Sequence, residues 1–390
     1  MALTLRPLLL VSSVFSLVLG GAAVGCSSNG GGGGSGGGTG GGSTADCSEY
    51  VAVGTEAACP FLCPISNQDF CASVGVTPNC DDVRVQASVD VCGVGVPKPA
   101  VGNDLIELER SSNVDEFSGT GAPNLGCYSQ SGFPSAPGTP QMVTMEGTAK
   151  VFSNGCESKN LEITVFEVIR DGSADDGMPG AMLGTTVMTD ADCTMAGVPE
   201  DNDDCTDPKY NGQRWECTYS YPNVPTETEL LIVSEGTGWA PLYEYNVYLA
   251  NDDIVGGVVQ KDVRALAQDD YQLIPQTAIG KNIESGNGAI GGEVHDCDDV
   301  RLINAIVDID KSRVLTYFTD DEVSPLPDVS ATSTSTLGLY SALDVKPGPV
   351  YVAAAGVLDG KLVGAGFFKA RVFAGAVTSV TFRGLRPFQL

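Results

Sequence analysis

The sequence predicts a mainly β chain, with two β-sandwiches in tandem behind a small disulfide-rich module. Three observations carry this expectation. From residue 142 onward, short runs rich in Val, Ile, Thr, Tyr and Phe alternate with Gly, Asp, Asn and Pro, as half-buried strands alternate with turns. The hydrophobic fraction, 42%, is large enough for real cores, although aromatic residues make up only 7%. Finally, six of the 13 cysteines fall within residues 47–92, a density at which cross-links replace a core too small to hold itself together.

Composition narrows the function classes. The 390 residues carry 49 acidic and 21 basic side chains, a net charge of −28 that repels nucleic acid and anionic headgroups, so no nucleic-acid partner is expected. The single histidine, His295, leaves no second ligand for a two-histidine zinc centre and would have to serve alone in any Ser-His-Asp or Cys-His mechanism. No catalytic residues and no firm cofactor are expected, and the chain is read as non-enzymatic.

Residues 1–25 contain one cation, Arg6, an apolar run from Leu8 to Leu19, and then Gly20, Gly21, Ala22 and Ala23. The run is too short for a comfortable permanent span and has the layout of a secretory signal. The following Ala23-Val24-Gly25-Cys26 resembles the bacterial lipobox, with Ala23 in place of the usual Leu, and the resemblance implies that Cys26 is acylated and becomes the new N-terminus. In the Gram-negative lipoproteins this resembles, Ser27 accompanies outer-membrane sorting, which implies a periplasmic or surface-exposed protein held to the membrane by its lipid. Residues 26–46 form a tether: 11 glycines between Ser27 and Asp46 leave nothing to bury, and 20 such residues reach about 25 Å. Setting Cys26 aside leaves 12 cysteines, an even number that can pair completely.

Residues 47–96 form the Cys-rich module, with Cys47, Cys59, Cys63, Cys71, Cys80 and Cys92 as disulfide partners in an order the sequence leaves open. The tightest spacing, Cys59-Pro-Phe-Leu-Cys63, is not Cys-x-x-Cys, which argues against zinc or a redox pair. Residues 97–142, rich in Pro, Gly and Ser, read as a connector with a strand near 105–108 and Cys127 as a staple.

The first sandwich, 143–285, is expected to hold strands near 148–152, 161–168, 183–188, 214–221, 229–234 and 242–249. A linking helix is expected around 261–273, where Val263, Leu266, Ala267 and Tyr271 fall near helical spacing. The second sandwich, 286–390, continues with strands near 290–294, 305–309, 315–318, 337–341, 350–354, 363–368, 369–373 and 377–382. The two series parallel one another: Gly147-Thr148-Ala149-Lys150-Val151 leads to Cys156 and then Leu161 to Val165, while Gly292-Glu293-Val294 leads to Cys297 and then Ala305-Ile306-Val307. The second copy adds Gly338-Leu339-Tyr340 before a strand and Lys346-Pro347-Gly348 before the next, and here it resembles the carboxypeptidase regulatory-like domain. That resemblance implies two tandem Greek-key β-sandwiches of transthyretin (prealbumin) type, the first copy interrupted by an insertion at 189–213. It implies a stiff extracellular module and no peptidase activity, because the metal-binding residues of the catalytic domain are missing.

The remaining cysteines, Cys127, Cys156, Cys193, Cys205, Cys217 and Cys297, place one thiol in the second sandwich. If all pair, and the six of the Cys-rich module pair among themselves, one bond must cross to it from the connector or the first sandwich. Candidate Ca²⁺ ligands are Asp171, Asp175 and Asp176, with further acidic clusters at 200–207 and 296–299, although none has EF-hand spacing and hairpin turns explain the same residues. His295, in Val294-His295-Asp296-Cys297-Asp298-Asp299, reads as a turn histidine solvated among carboxylates that favour its charged form. Trp239, Tyr243 and Tyr245 would share one strand face and could stack on sugar rings, making an extracellular glycan or protein a candidate partner; the same stripe is what a sandwich core requires. Beyond Asp359 the chain has five cations and no carboxylate, read first as protection of strand edges and second as a patch that docks on the acidic remainder. The expected role is structural, adhesive or display; carbohydrate binding for surface uptake is the alternative, and a glycan hydrolase using paired carboxylates a remoter one.

Overall fold

The structure, a computed structural model, describes residues 106–113, 117–128, 137–152, 157–189, 193–195, 215–309, 311, 314–321, 325–359, 361–384 and 386–389. The expected signal, tether and Cys-rich module, the expected lipid-attachment residue Cys26, Cys156, Cys205 and the acidic cluster at 200–207 lie outside the described residues.

Through the first half run β1 (Glu109–Arg110), β2 (Met142–Phe152), β3 (Glu162–Val168), β4 (Pro179–Met188), β5 (Cys193–Met195), β6 (Trp215–Pro225), β7 (Leu230–Gly236), β8 (Trp239–Val247), β9 (Val258–Gln260), β10 (Val263–Leu266) and the helix α1 (Gln268–Ile279). The second half adds β11 (Gly288–Glu293), β12 (Leu302–Ile303), β13 (Ile306–Ile309), β14 (Val314–Phe318), β15 (Pro327–Asp328), β16 (Leu339–Val345), β17 (Gly348–Leu358), β18 (Lys361–Val372) and β19 (Val377–Val380). The chain is therefore mainly β and its sheets pack as sandwiches. The two strands expected near 363–373 are one, β18, which pairs with β17 along its whole length.

The halves share a sheet. Nine strands run in the order β15-β14-β16-β11-β19-β8-β7-β3-β4, and the seam between halves is the parallel pair β19–β8, in which Val377 to Val380 face Leu242 to Tyr245. One face of the first-half strands packs on the sheet β10-β2-β6-β5, burying Met145, Ala149, Ile163, Tyr219, Tyr221 and Ile232. The opposite face, together with the second-half strands, packs on β13-β17-β18 and buries Leu231, Val233, Tyr245, Tyr340, Phe368 and Phe382. Residues Leu230 to Ser234 of β7 are buried without interruption, with Leu230 and Ile232 in one core and Leu231 and Val233 in the other. A strand covered on both faces needs a continuous apolar run instead of an alternating one, which is what Leu230-Leu231-Ile232-Val233 supplies.

The helix expected at 261–273 is displaced. Val263 and Ala265 are fully buried at a period of two and pair in parallel with Ala149 and Val151 of β2, so tertiary pairing claims this stretch as β10. The helix begins only at Gln268, with Asp269 and Asp270 favourably placed in its first turn, and ends at Gly280, whose φ of 69° is the left-handed conformation that closes helices. Tyr271 and Ile274 pack over Ala240, Leu242 and Leu266, leaving an apolar cavity of about 110 Å³ between helix and sheet. Among the described residues no helix is long and apolar enough to cross a membrane.

Candidate functional site

The chemistry-bearing side chains gather at the seam. Gly292 permits this, because a Cβ there would lie 1.9 Å from the Val380 carbonyl oxygen of β19, a contact no other residue could make. With β11 held so close, Glu293 at its end turns inward. Its Oε1 lies 3.4 Å from Arg264 and 3.5 Å from Arg301, and its Oε2 lies 2.8 Å from His295 Nε2. The other ring nitrogen of His295, Nδ1, lies 2.7 Å from Asp299 Oδ1, while Asp299 Oδ2 pairs with Arg383 at 3.1 Å. Phe117 from the connector caps the cluster, edge-on to the imidazole at 5.1 Å, with the guanidinium carbons of Arg383, Arg301 and Arg264 at 4.9, 5.1 and 5.9 Å from its ring centre. Burial alone would raise the Glu293 carboxyl, but Arg264, the bond with His295 and Arg301 together hold it well below the usual carboxylate range. Burial also opposes ionisation of Asp299, which His295 and Arg383 nevertheless keep lowered.

Next to this cluster, the turn at 296–299 clamps the connector to the second half. Asp296 Oδ2 accepts from Arg110 Nε at 2.7 Å and from the Asn124 backbone N–H at 2.8 Å, and Cys127 is bonded to Cys297. This bond crosses from the connector to the second half, as expected if the Cys-rich module pairs internally. A second bond, Cys193–Cys217, joins directly opposed residues of β5 and β6. With Glu157, these two sulfurs form the one close cysteine and carboxylate group among the described residues, but as a disulfide they offer no thiolate to a metal.

On the other side of Arg264 lies a polar cavity of about 180 Å³, walled by β8, the segment joining β9 to β10, and the chain after β19. Lys261 pairs with Glu244 at 2.6 Å and Lys150 with Asp262 at 3.0 Å across its wall. Burial pushes the Lys261 ammonium down, with Glu244 opposing the shift and Arg383 and Arg264 adding to it. At Asn246 the register of β8 against β7 slips by one residue, and Asn246 takes φ 61°. Its Nδ2 donates to the Thr381 carbonyl at 2.9 Å, standing in for a ladder bond after β19 ends. Its Oδ1, like Glu244 Oε2, is buried and accepts no hydrogen bond from the protein.

The structure places the sequence candidates differently from their expected settings. His295 is fully buried between two carboxylates, not solvated in a turn. Trp239 and Tyr245 are core residues at 9% and 1% exposure, and Tyr243 stacks on Phe373 at 3.8 Å, so no sugar-reading face is presented. Nor do the three rings share a face: a bulge in β8 beyond Trp239 sends the indole into one core and Tyr245 into the other. In the 171–177 loop, Asp171 accepts from the Ser173 N–H, while Asp176, only 5% exposed, pairs with Lys369 at 2.8 Å and Arg170 at 3.5 Å. Arg371 donates to the Ala174 and Asp176 carbonyls, so β18, an edge strand of its sheet, also docks its basic side chains on this acidic loop. Sequence reasoning missed Glu293, Arg264 and Phe117. The signal was present, because a single charge inside Gly292-Glu293-Val294 or Val263-Arg264-Ala265-Leu266 interrupts an otherwise apolar strand.

No family model matches the chain, and no curated protein matches it. Among solved structures it is similar to the minor pilin of Streptococcus agalactiae, at 8% identity over 62% of this chain and 94% of that one, with a TM-score of 0.18. It is also similar to a streptococcal ancillary pilin, at 13% identity over 62% of each chain with a TM-score of 0.15, and to the major pilin of Streptococcus pyogenes, at 11% identity over 63% and 98% with a TM-score of 0.14.

Proposed function

We propose that this chain is a non-enzymatic envelope protein whose β body is displayed from the outer membrane by a lipid on Cys26 and the glycine tether. The observation that carries the reading is the seam. One sheet runs through both halves, and a disulfide, a buried ionic cluster and the Asp296 clamp all reinforce the joint, a construction suited to holding a fixed shape. The buried Trp239 and Tyr245 lend no support to the carbohydrate alternative at that face.

The test is metabolic labelling with palmitate in a Gram-negative host, followed by membrane fractionation. The native chain should carry label and sediment with outer membranes, and Cys26→Ala should lose both properties. An unlabelled native chain recovered in the soluble fraction would overturn the proposal.

A further inference from the structure

The apolar cavity of about 110 Å³ beneath α1 carries an inference independent of the display reading. Its floor explains why the space exists. Gly291 of β11 lies directly between Ser341 of β16 and Ser379 of β19, so three small residues stand side by side across three strands. Around them the sheet presents the larger Leu339, Leu343 and Val377, and Tyr271 and Ile274 of the helix pack on residues of that kind, leaving the small row uncovered.

The floor also holds an unanswered polar group. Ser341 is 6% exposed, and its hydroxyl makes no hydrogen bond within the protein. It stands on the cavity face, because its chain neighbours Tyr340 and Ala342 belong to the core on the other side of the sheet. Neither cross-strand neighbour satisfies it: Gly291 has no side chain, and the Thr316 hydroxyl donates to the Tyr317 carbonyl. With Leu339 and Leu343 on either side along β16, these surroundings suit a ligand that brings one polar atom and apolar bulk better than a water, which needs about two to four polar partners. The walls select the kind of bulk. Phe152 and Phe318 meet edge to face at 6.0 Å, and Tyr271 adds a third ring from the helix, an arrangement that favours a further ring among them.

We propose that this cavity binds a neutral, single-ring phenol, with its ring among Phe152, Phe318 and Tyr271 and its hydroxyl bonded to Ser341 Oγ. A charged ligand would have to leave water for apolar walls. An apolar cavity of about 150 Å³ takes benzene, so about 110 Å³ limits the occupant to one ring. Pro275, in the wall, has no N–H to offer the Tyr271 carbonyl one turn back, so the helix turn over the cavity lacks one of its own bonds and is the turn that yields to admit the ligand.

The test is calorimetric titration of the full-length chain with phenol, benzene, cyclohexanol and benzoate, beside thermal melts of each variant. Phenol should bind saturably and about tenfold more tightly than benzene, which lacks the hydroxyl, than cyclohexanol, which lacks the flat ring, and than benzoate, which carries a charge. Ser341→Ala removes a hydroxyl that makes no bond in the fold, so its unfolding midpoint should hold while phenol falls to the affinity of benzene. A Cβ at position 291 meets nothing nearer than the Tyr340 carbonyl oxygen at 3.5 Å, so Gly291→Val should fill the cavity and abolish phenol binding with the midpoint unchanged or raised. Should Gly291→Val fold poorly, Ser341→Ala decides alone. Benzene, cyclohexanol or benzoate matching phenol would overturn the proposal, as would a folded variant of either kind that binds phenol normally, or no saturable binding of phenol at all.

Discussion

Of the two disulfides among the described residues, removing Cys127–Cys297 should be the more damaging. The bond closes a loop of 170 residues, and the chain-entropy relation for a loop of that size gives roughly 17 cal/mol/K, or about 5 kcal/mol at 25 °C. The Cys193–Cys217 bond, closing 24 residues, gives about 3.5 kcal/mol on the same relation. A domain's whole stability is about 5–15 kcal/mol, so the first loss brings the chain close to unfolding. Because Arg110 and Asn124 still hold Asp296 when the sulfurs are gone, the native joint should persist and the loss should come through the unfolded state. The assay is urea unfolding of Cys127→Ala/Cys297→Ala and Cys193→Ala/Cys217→Ala beside the native chain, followed by tryptophan fluorescence. The long-loop variant should lose more stability and show the larger rise in m, since its unfolded chain expands more. A loss from the Cys127 and Cys297 variant no larger than that from the Cys193 and Cys217 variant would refute the reasoning.

Further expectations follow from the seam and the cores. Glu293→Gln leaves Arg264, Arg301 and His295 without their shared carboxylate and should cost about 3–5 kcal/mol in the same denaturation assay. Because Glu293 and Asp299 ionise more readily folded than unfolded, the stability they contribute is complete above their unfolded values of about 4.3 and 3.9 and is lost as pH falls through the lower folded ones; the thermal midpoint should therefore drop below about pH 4.5, less steeply in Glu293→Gln. Gly292→Ala should force β11 away from the Val380 carbonyl and either abolish folding or cost several kcal/mol, whereas Gly172→Ala, in an open turn, should cost about 1 kcal/mol, read from expression and thermal melts. Trp239→Ala should destabilise by about 3–5 kcal/mol as a core deletion; a fully stable variant would mean that the indole is not packed as described.

Much of this fold was legible in the sequence because strand periodicity and turn residues are local signals. Runs such as 161–168 and 350–354 are rich in strand-forming residues and fall in β3 and β17, although β17 continues through Gly348, Pro349 and Gly356 on either side. What sequence could not supply was which runs pair. The Val263 to Leu266 stretch has helical spacing and strand spacing at once, and only the waiting edge of β2 decides for the strand. The aromatic face failed for a related reason: a period of two holds only while the register holds, and bulges in β8 move Trp239 and Tyr245 into different cores. The continuous run Leu230-Leu231-Ile232-Val233 was the one local hint that a strand is covered on both faces, and hence that two sandwiches share a sheet. The seam cluster is assembled from residues 117, 264, 293 to 301 and 383, separations across which a single sequence offers only the oddity of a lone charge in an apolar strand.

The central claim, that the two halves form one body through the β19–β8 seam, is tested most directly by native-state hydrogen exchange across a low-urea series. Amides of Ile163 and Ile232 report the first core and those of Val352 and Ala370 the second. The account predicts that all four converge on a single opening free energy with the same urea dependence, the signature of one cooperative unit. Two groups of amides, divided between the halves and separated by more than about 2 kcal/mol, would contradict it.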